Sequence, residues 1–184
     1  QQPPDVKDFL LRTSVLERLT APLCDAVTGR SDSLTLLPAL DRANLLLVPL
    51  DESREWFRYE HLFADLLRHQ LTKAVGENGV PGLHRRASAW CKANGFPREA
   101  IDHALAARAW ETAADLLTEV ARQYLATFEA VTLQAWLEAL PEEILLARPA
   151  LCDASFWVLN SFGRLDEAET VKLPLNPRTS APAR

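Results

Sequence analysis

The sequence predicts a mainly α-helical fold that contains one short β-hairpin. The stretch WFRYEHLFADLLRHQL, residues 56–71, changes from an alternating apolar pattern to a helical one without an intervening loop. Beyond residue 83, apolar residues recur at helical spacing almost to the end of the chain. With 48% hydrophobic residues among 184, the chain can bury one good core or two small ones.

The predicted hairpin lies directly before residue 61. Phe57 and Tyr59 alternate with charged residues, as in a half-buried strand. An earlier apolar run, residues 45–50, is separated from them by the polar residues 51–55, a link short enough to join two antiparallel strands. The next segment predicts an amphipathic helix that begins near His61, and we expect Leu66 to lie at the centre of its buried stripe. That stripe comprises Leu62, Phe63, Leu66, Leu67 and Leu71.

Three short helical segments precede the hairpin. The second has Thr20 as a candidate N-cap, Pro22 in its first turn and Gly29 at its end. The third, within residues 31–44, carries Pro38, which is expected to kink or shorten it. Three helices, a hairpin and a closing helix predict a winged-helix domain over residues 1–76. The third helix holds the place of a DNA-recognition helix, but its leucine-rich sequence is typical of burial against protein.

A cluster of glycines and a proline between residues 76 and 82 predicts a domain boundary. Residues 77–170 are expected to form an α-helical, tetratricopeptide-like array. The pattern Gly-x-x-x-Glu-Ala occurs at residues 95–100 and 163–168, at twice the tetratricopeptide period of about 34 residues. Residues 171–184 contain three prolines without periodicity, so a disordered or non-native tail is expected.

Charge and cysteine usage narrow the function classes. The net charge is −5, which argues against a surface built to neutralise phosphates. Cys24, Cys91 and Cys152 are far apart without a C-x-x-C pair, which favours buried reduced thiols and a cytoplasmic location. No apolar run has membrane-span length and no signal peptide is recognisable. Because the sequence contains no methionine, we interpret it as a piece of a longer chain.

Four segments carry a resemblance to a known family. They are FLLRTSVLERLTAPLCDAVTGR, RANLLLVPLD, WFRYEHLFADLLRHQL and LHRRASAWCKANGFPREAIDHALA. Together they resemble the large ATP-binding LuxR-type transcriptional regulators, in particular the maltose-regulator-like group of signal-transducing ATPases. The resemblance covers residues 1 to about 169.

This resemblance implies a nucleotide-binding domain, a winged helix, a helical-repeat sensor region and a C-terminal helix-turn-helix in the full-length protein. The present chain corresponds to the winged helix and the first repeats. It contains no G-x-x-x-x-G-K-[ST] loop, so no enzyme activity is expected of it. Binding of ATP or ADP is expected only of the full-length protein. The implied partners are the nucleotide-binding domain of the same chain and a small-molecule or protein effector at the repeats. The resemblance implies that the full-length protein contacts DNA only through the helix-turn-helix that this chain lacks, and that no membrane is a partner.

His61 is the candidate cofactor-binding residue. It opens a helix, where N–H groups and the helix dipole favour an anion. In related nucleotide-switch ATPases a Met-His-Asp motif at this junction reads the ADP phosphate; here the residues are Glu60, His61 and Leu62, so only the histidine matches. We therefore predict that His61 contacts an ADP phosphate in the full-length protein. The alternative is a histidine that caps or packs locally.

Other candidate sites are weaker. His61, Asp65 and His69 share one side of the helix, but the histidines would lie roughly 12 Å apart, so no metal site is predicted. The aromatic residues 56, 57 and 59 are interpreted as core and not as a base-stacking surface. Residues 84–86, His-Arg-Arg, are interpreted as a solvated helix face. No serine or cysteine has a local partner that would activate it, so no catalytic residue is predicted.

Two functions remain open. The first is a regulatory and interaction fragment of an ATP-dependent transcriptional regulator, which docks on a nucleotide-binding domain and relays a signal through helical repeats. The second is an autonomous winged-helix DNA-binding protein with a helical dimerisation domain. The charge of the wing favours the first, because residues 51–55 read Asp-Glu-Ser-Arg-Glu, whereas a DNA-reading wing needs basic side chains. The effector, the target genes and the oligomeric state are not encoded in any recognisable pattern.

Overall fold

The computed structural model describes residues 4–43, 46–76, 79–127 and 129–172. Within these ranges the chain forms eleven helices and one two-stranded sheet, which fall into two compact units, residues 1–107 and 108–184. The first unit contains α1 Pro4–Thr13, α2 Ala21–Thr28, α3 Ser33–Arg42, β1 Leu47–Pro49, β2 Phe57–Tyr59, α4 His61–Val75, α5 Gly79–Ala93 and α6 Pro97–Ala106. The second contains α7 Trp110–Ala126, α8 Ala130–Ala139, α9 Glu142–Leu146, α10 Pro149–Ser161 and α11 Leu165–Lys172.

Among the helices before the hairpin, α2 follows the local signals of the sequence and α3 departs from them. Helix α2 begins after Thr20, whose backbone is extended, and ends at Gly29. Helix α3 runs through Pro38, so the interruption expected there does not occur. Pro38 lies on the exposed side of α3, while Leu37 and Leu40 on the opposite side are buried. Burial of these two leucines outweighs the one helical hydrogen bond that proline cannot donate.

Strand β2 is bonded along both edges. It pairs with β1 in an antiparallel register that sets Val48 opposite Arg58. On its other edge the N–H of Leu19 donates to the Phe57 carbonyl at 2.7 Å, and the N–H of Phe57 donates to the Leu19 carbonyl at 2.9 Å. This confirms the predicted hairpin, and it ties the hairpin to the chain between α1 and α2.

Helix α4 packs through only one edge of the predicted apolar stripe. Ala64, Leu67 and Leu71 are buried, whereas Leu62 is 80% exposed and Leu66 is 51% exposed. The expectation that Leu66 lies at the centre of the buried stripe is therefore wrong. The apolar residues span about half of the helical wheel, and helical period alone does not indicate which part of so wide a stripe meets the core.

Helix α5 belongs to the same compact unit as α1–α4. It packs against α2, and the Arg86 Nε donates to the Val27 carbonyl at 2.7 Å. The compact units therefore divide between residues 107 and 108, whereas the sequence predicts a boundary after residue 76. The predicted tail, 171–184, lies outside the described residues except for its first two, which end α11.

The repeated Gly-x-x-x-Glu-Ala pattern marks the same helical turn twice, once in each unit. Gly95, between α5 and α6, has φ of 80°, and Gly163, between α10 and α11, has φ of 74°, a conformation that only glycine adopts readily. In both turns the residue after glycine donates its N–H to the carbonyl five residues back, at 2.9 and 3.0 Å, which is a Schellman cap. Ala100 and Ala168 are both buried, so each motif lets two helices approach closely.

The second unit is held by packing of α10 against α7, α8 and α11. Arg148, directly before α10, bonds the carboxylates of Glu111 and Asp115 on α7 at 2.5 and 2.8 Å. None of the helices in the described residues has the length and apolar composition needed to cross a bilayer. The predicted mainly α-helical fold, with a winged helix and one small hairpin, is confirmed.

The orientation of α4 predicts a contrast between neighbouring leucines. Leu67→Ala should lower the free energy of unfolding by about 2–5 kcal/mol, because it opens a cavity at a side chain that is 5% exposed. Leu66→Ala, on the exposed side of the same turn, should change it by less than about 1 kcal/mol. Urea unfolding followed by circular dichroism measures both. An equal loss in the two variants would contradict this orientation.

Candidate functional site

His61 is the first residue of α4, and only Glu60 separates it from the end of β2. Its imidazole is exposed and forms no hydrogen bond with any described residue. The backbone before it is fixed, since the Glu60 N–H donates to the Leu46 carbonyl at 2.8 Å and the Ala64 N–H donates to the Glu60 carbonyl at 2.9 Å. A rigid backbone therefore presents an uncommitted imidazole at the strand-to-helix junction.

The N-terminus of α4 already carries a negative charge. The Glu60 side chain is the N-cap, and its Oε2 accepts the Leu62 N–H at 3.0 Å. A carboxylate at this position stabilises the helix dipole, and it also occupies one of the N–H groups that an incoming anion would use. The expected attraction of an anion to free helix N–H groups is thus reduced, and the His61 ring is a further donor at the same place.

The outer face of α4 combines apolar and titratable side chains. This face, defined as His61, Leu62, Asp65, Leu66 and His69, is exposed along its length. Two large leucines on a solvent-facing helix are costly in water, so such a face is typical of a surface that packs against another protein body.

The predicted absence of a metal site concerns the same helix. His61 and His69 lie two turns apart, with Asp65 between them. Among the described residues, no three His, Cys, Asp or Glu side chains come close enough together to hold a metal ion.

The wing and α3 present no basic surface in the described residues. Arg54 of the wing pairs with Asp41 of α3 at 2.7 Å, and the Arg42 Nε donates to the Pro38 carbonyl at 3.2 Å. The Asp51 carboxylate accepts the Ser53 hydroxyl and the N–H groups of residues 55 and 56. These bonds, the Ser53 hydroxyl first, hold the pKa of Asp51 below its ordinary value. The wing therefore stays acidic where a DNA-reading wing is basic.

The three aromatic residues of the hairpin have two different environments. Phe57 and Tyr59 are buried, and the Tyr59 hydroxyl lies 2.7 Å from the Thr13 Oγ1. Their interpretation as core is confirmed. Trp56 is only half-buried; its ring meets that of Phe96 edge-on at 5.5 Å, and the Arg18 guanidinium lies 5.2 Å from its centroid.

A partly buried histidine pair was missed by the sequence reading. The Nδ1 atoms of His84 on α5 and His103 on α6 lie 2.9 Å apart. Burial lowers the pKa of both rings; the charge of Arg68 is a smaller cause for His84. The pKa of His103 is lowered to about 4, with His84 a smaller cause. The interpretation of residues 84–86 as a solvated face is therefore wrong for His84. The signal was available, because His84 and His103 lie eleven residues before and eight residues after Gly95, within the two helices that this turn joins.

Taken together, these elements define a winged helix followed by α-helical hairpins. Residues 1–78 match the family described as the MalT winged helix domain. The chain is 35% identical over 167 residues to the HTH-type transcriptional regulator MalT of Cronobacter sakazakii, which covers 91% of this chain and 18% of that protein. It is also 35% identical over 154 residues to the serine/threonine-protein kinase PknK of Mycobacterium tuberculosis, covering 84% of this chain and 14% of the kinase.

Residues 1–78 are a winged helix domain of the MalT type, and the similarity to the MalT regulators extends over 91% of the chain. This confirms the resemblance to maltose-regulator-like transcriptional regulators. The chain spans less than a fifth of the length of these relatives.

The acidic wing predicts that this chain does not bind duplex DNA appreciably. The physical reason is that unspecific affinity for DNA arises from clustered cations that release counterions. Fluorescence anisotropy with a labelled mixed-sequence duplex at low salt measures it. Low-micromolar binding that weakens steeply as salt is added would contradict the prediction.

Proposed function

We propose that this chain is the regulatory segment of a longer ATP-dependent transcriptional regulator. Its winged helix docks on a nucleotide-binding domain of the same protein, with His61 directed at the phosphates of bound ADP. Its helical hairpins are the beginning of a tetratricopeptide-like region that receives an effector and relays the signal. The observation that carries the proposal is the exposed outer face of α4, where Leu62 and Leu66 lie beside an uncommitted imidazole.

The composition of that face supports docking on a protein body. Leu62 and Leu66 supply apolar area whose removal from water favours association. His61 lies at the end of the same face, held by a helix whose opposite side is buried in the first unit. A docked α4 would therefore place the imidazole at the contact with a defined orientation.

The two kinds of relative support a regulatory role. One is named as a transcriptional regulator and the other as a protein kinase, and both contain a counterpart of this winged helix and the helices after it. A segment shared by a transcriptional regulator and a protein kinase is suited to controlling the activity of other domains, and not to carrying out that activity itself. The autonomous DNA-binding alternative is less favoured, because it needs basic side chains on α3 and the wing.

The role of His61 is tested in the full-length protein that contains this chain. Loss of one charge-assisted hydrogen bond to phosphate costs about 1.5–3 kcal/mol, so His61→Ala should raise the dissociation constant of ADP about ten-fold or more. Because ADP would hold the resting state, basal transcription without inducer should rise as well. ADP titration by calorimetry and a reporter assay measure the two effects.

His69→Ala is the matched control, since His69 is exposed on the same helix about two turns away. It should leave the affinity for ADP unchanged, and the isolated 184-residue chain should bind no nucleotide. Equal ADP affinities and equal basal transcription in wild type and His61→Ala would reduce His61 to an ordinary surface residue.

A further inference from the structure

The first unit contains a cleft that has no part in the docking face. It lies between the segment after α1, the start of β2 and the helices α5 and α6, and its volume is about 190 Å³. Three aromatic rings and three carboxylates line it, together with one arginine, two histidines and four small or aliphatic side chains. The rings and carboxylates are those of Trp56, Trp90, Phe96, Glu17, Glu99 and Asp102.

The aromatic side of the cleft is built around Phe96. The Trp90 ring stacks on Phe96 with centroids 5.8 Å apart and planes inclined by 9°, and Trp56 meets Phe96 edge-on at 5.5 Å. Phe96 is placed there by the turn at Gly95, which joins α5 and α6. Aromatic faces carry a negative electrostatic potential and attract cations within about 6 Å of the ring centroid.

The side chains that line the cleft carry a net negative charge. Arg18 is its one cationic lining residue, and this guanidinium is paired with Glu99. Glu17 and Asp102 add two further carboxylates at the rim. His84 and His103 also line the cleft and add no positive charge near neutral pH, because burial lowers the pKa of both rings.

The lining of the cleft already holds one cation, the guanidinium of Arg18. The Arg18 guanidinium lies 5.2 Å from the Trp56 centroid and contacts the Glu99 carboxylate. Trp90 and Glu17 line the same cleft, so a second ring and a second carboxylate border it. The volume is below the roughly 300 Å³ at which typical ligand pockets begin, so the space suits a ligand of only several heavy atoms.

We propose that this cleft binds a small organic cation, such as a primary amine that carries an apolar group. The apolar group packs against Trp90 and Phe96, and the ammonium lies toward the carboxylate of Glu17. This site is independent of His61 and of the docking face of α4, so it adds a ligand input to the winged helix itself.

The test uses the 184-residue chain and three probes of similar size: benzylamine, benzyl alcohol and benzoate. NMR titration of the tryptophan indole N–H signals follows binding. Benzylamine should bind saturably with a Kd of about 1 mM or tighter, shifting the signals of Trp56 and Trp90. Benzyl alcohol should bind about five-fold more weakly, because it lacks the charge. Binding of the alcohol or of benzoate as tight as that of the amine, or no saturable shift with benzylamine, would overturn the proposal.

Variants locate the site. Glu17 is exposed, so Glu17→Gln removes a charge without disturbing the core, and it should weaken benzylamine binding about three-fold. Trp90→Leu should weaken it further. Glu52→Gln, an exposed residue in the hairpin turn, is the matched control and should have no effect. An unchanged affinity in Glu17→Gln, or an equal loss in Glu52→Gln, would show that the cation does not bind here.

Discussion

The winged helix depends on strand β2 being held on both of its edges. Leu19 bonds one edge through two short hydrogen bonds with Phe57, and β1 bonds the other. Burial of Phe57 and the contact of the Tyr59 hydroxyl with Thr13 fix the same strand to α1 and to the chain that leads into α2. Because α4 begins only two residues after β2, the strand also sets the direction of α4 and the position of His61.

Much of this fold is predictable from the sequence because it follows local rules. The turn glycines, the proline in the first turn of α2 and the alternation around Phe57 each act within a few residues, and the structure agrees with all of them. Pro38 is the exception, since tertiary packing of Leu37 and Leu40 keeps α3 helical. A local signal is overruled where burial on the opposite side is strong enough.

The site was less predictable, because it depends on which side of a helix meets which neighbour. Helical period identified an apolar stripe on α4, but the partner surface decides that Leu67 is buried and Leu66 is not. The same limitation hid the cleft. His84 reads as one of three cationic residues in a row, and only the antiparallel packing of α5 and α6 sets it against His103.

The two sides of α4 give the winged helix its proposed role. The buried side makes α4 part of the close-packed core of the first unit. On the proposed account, docking of another domain on its outer face would therefore be felt by β2 and α1. The acidic wing and the outward side of α3, where Leu34, Pro38 and Ala39 are exposed, leave the usual DNA-reading surface unsuited to DNA. A fold widely used for DNA recognition is on this account adapted to contact a protein domain.

Hydrogen exchange at the start of α4 tests this central claim most directly. The first N–H groups of a helix lack intrahelical partners and exchange rapidly unless another surface covers them. The account predicts that the amides of residues 61 and 63 exchange more slowly in the ADP-bound full-length protein than in the isolated chain, while those of the wing, residues 51–55, exchange equally in both. Equal exchange of residues 61 and 63 in the two proteins would contradict docking through this face.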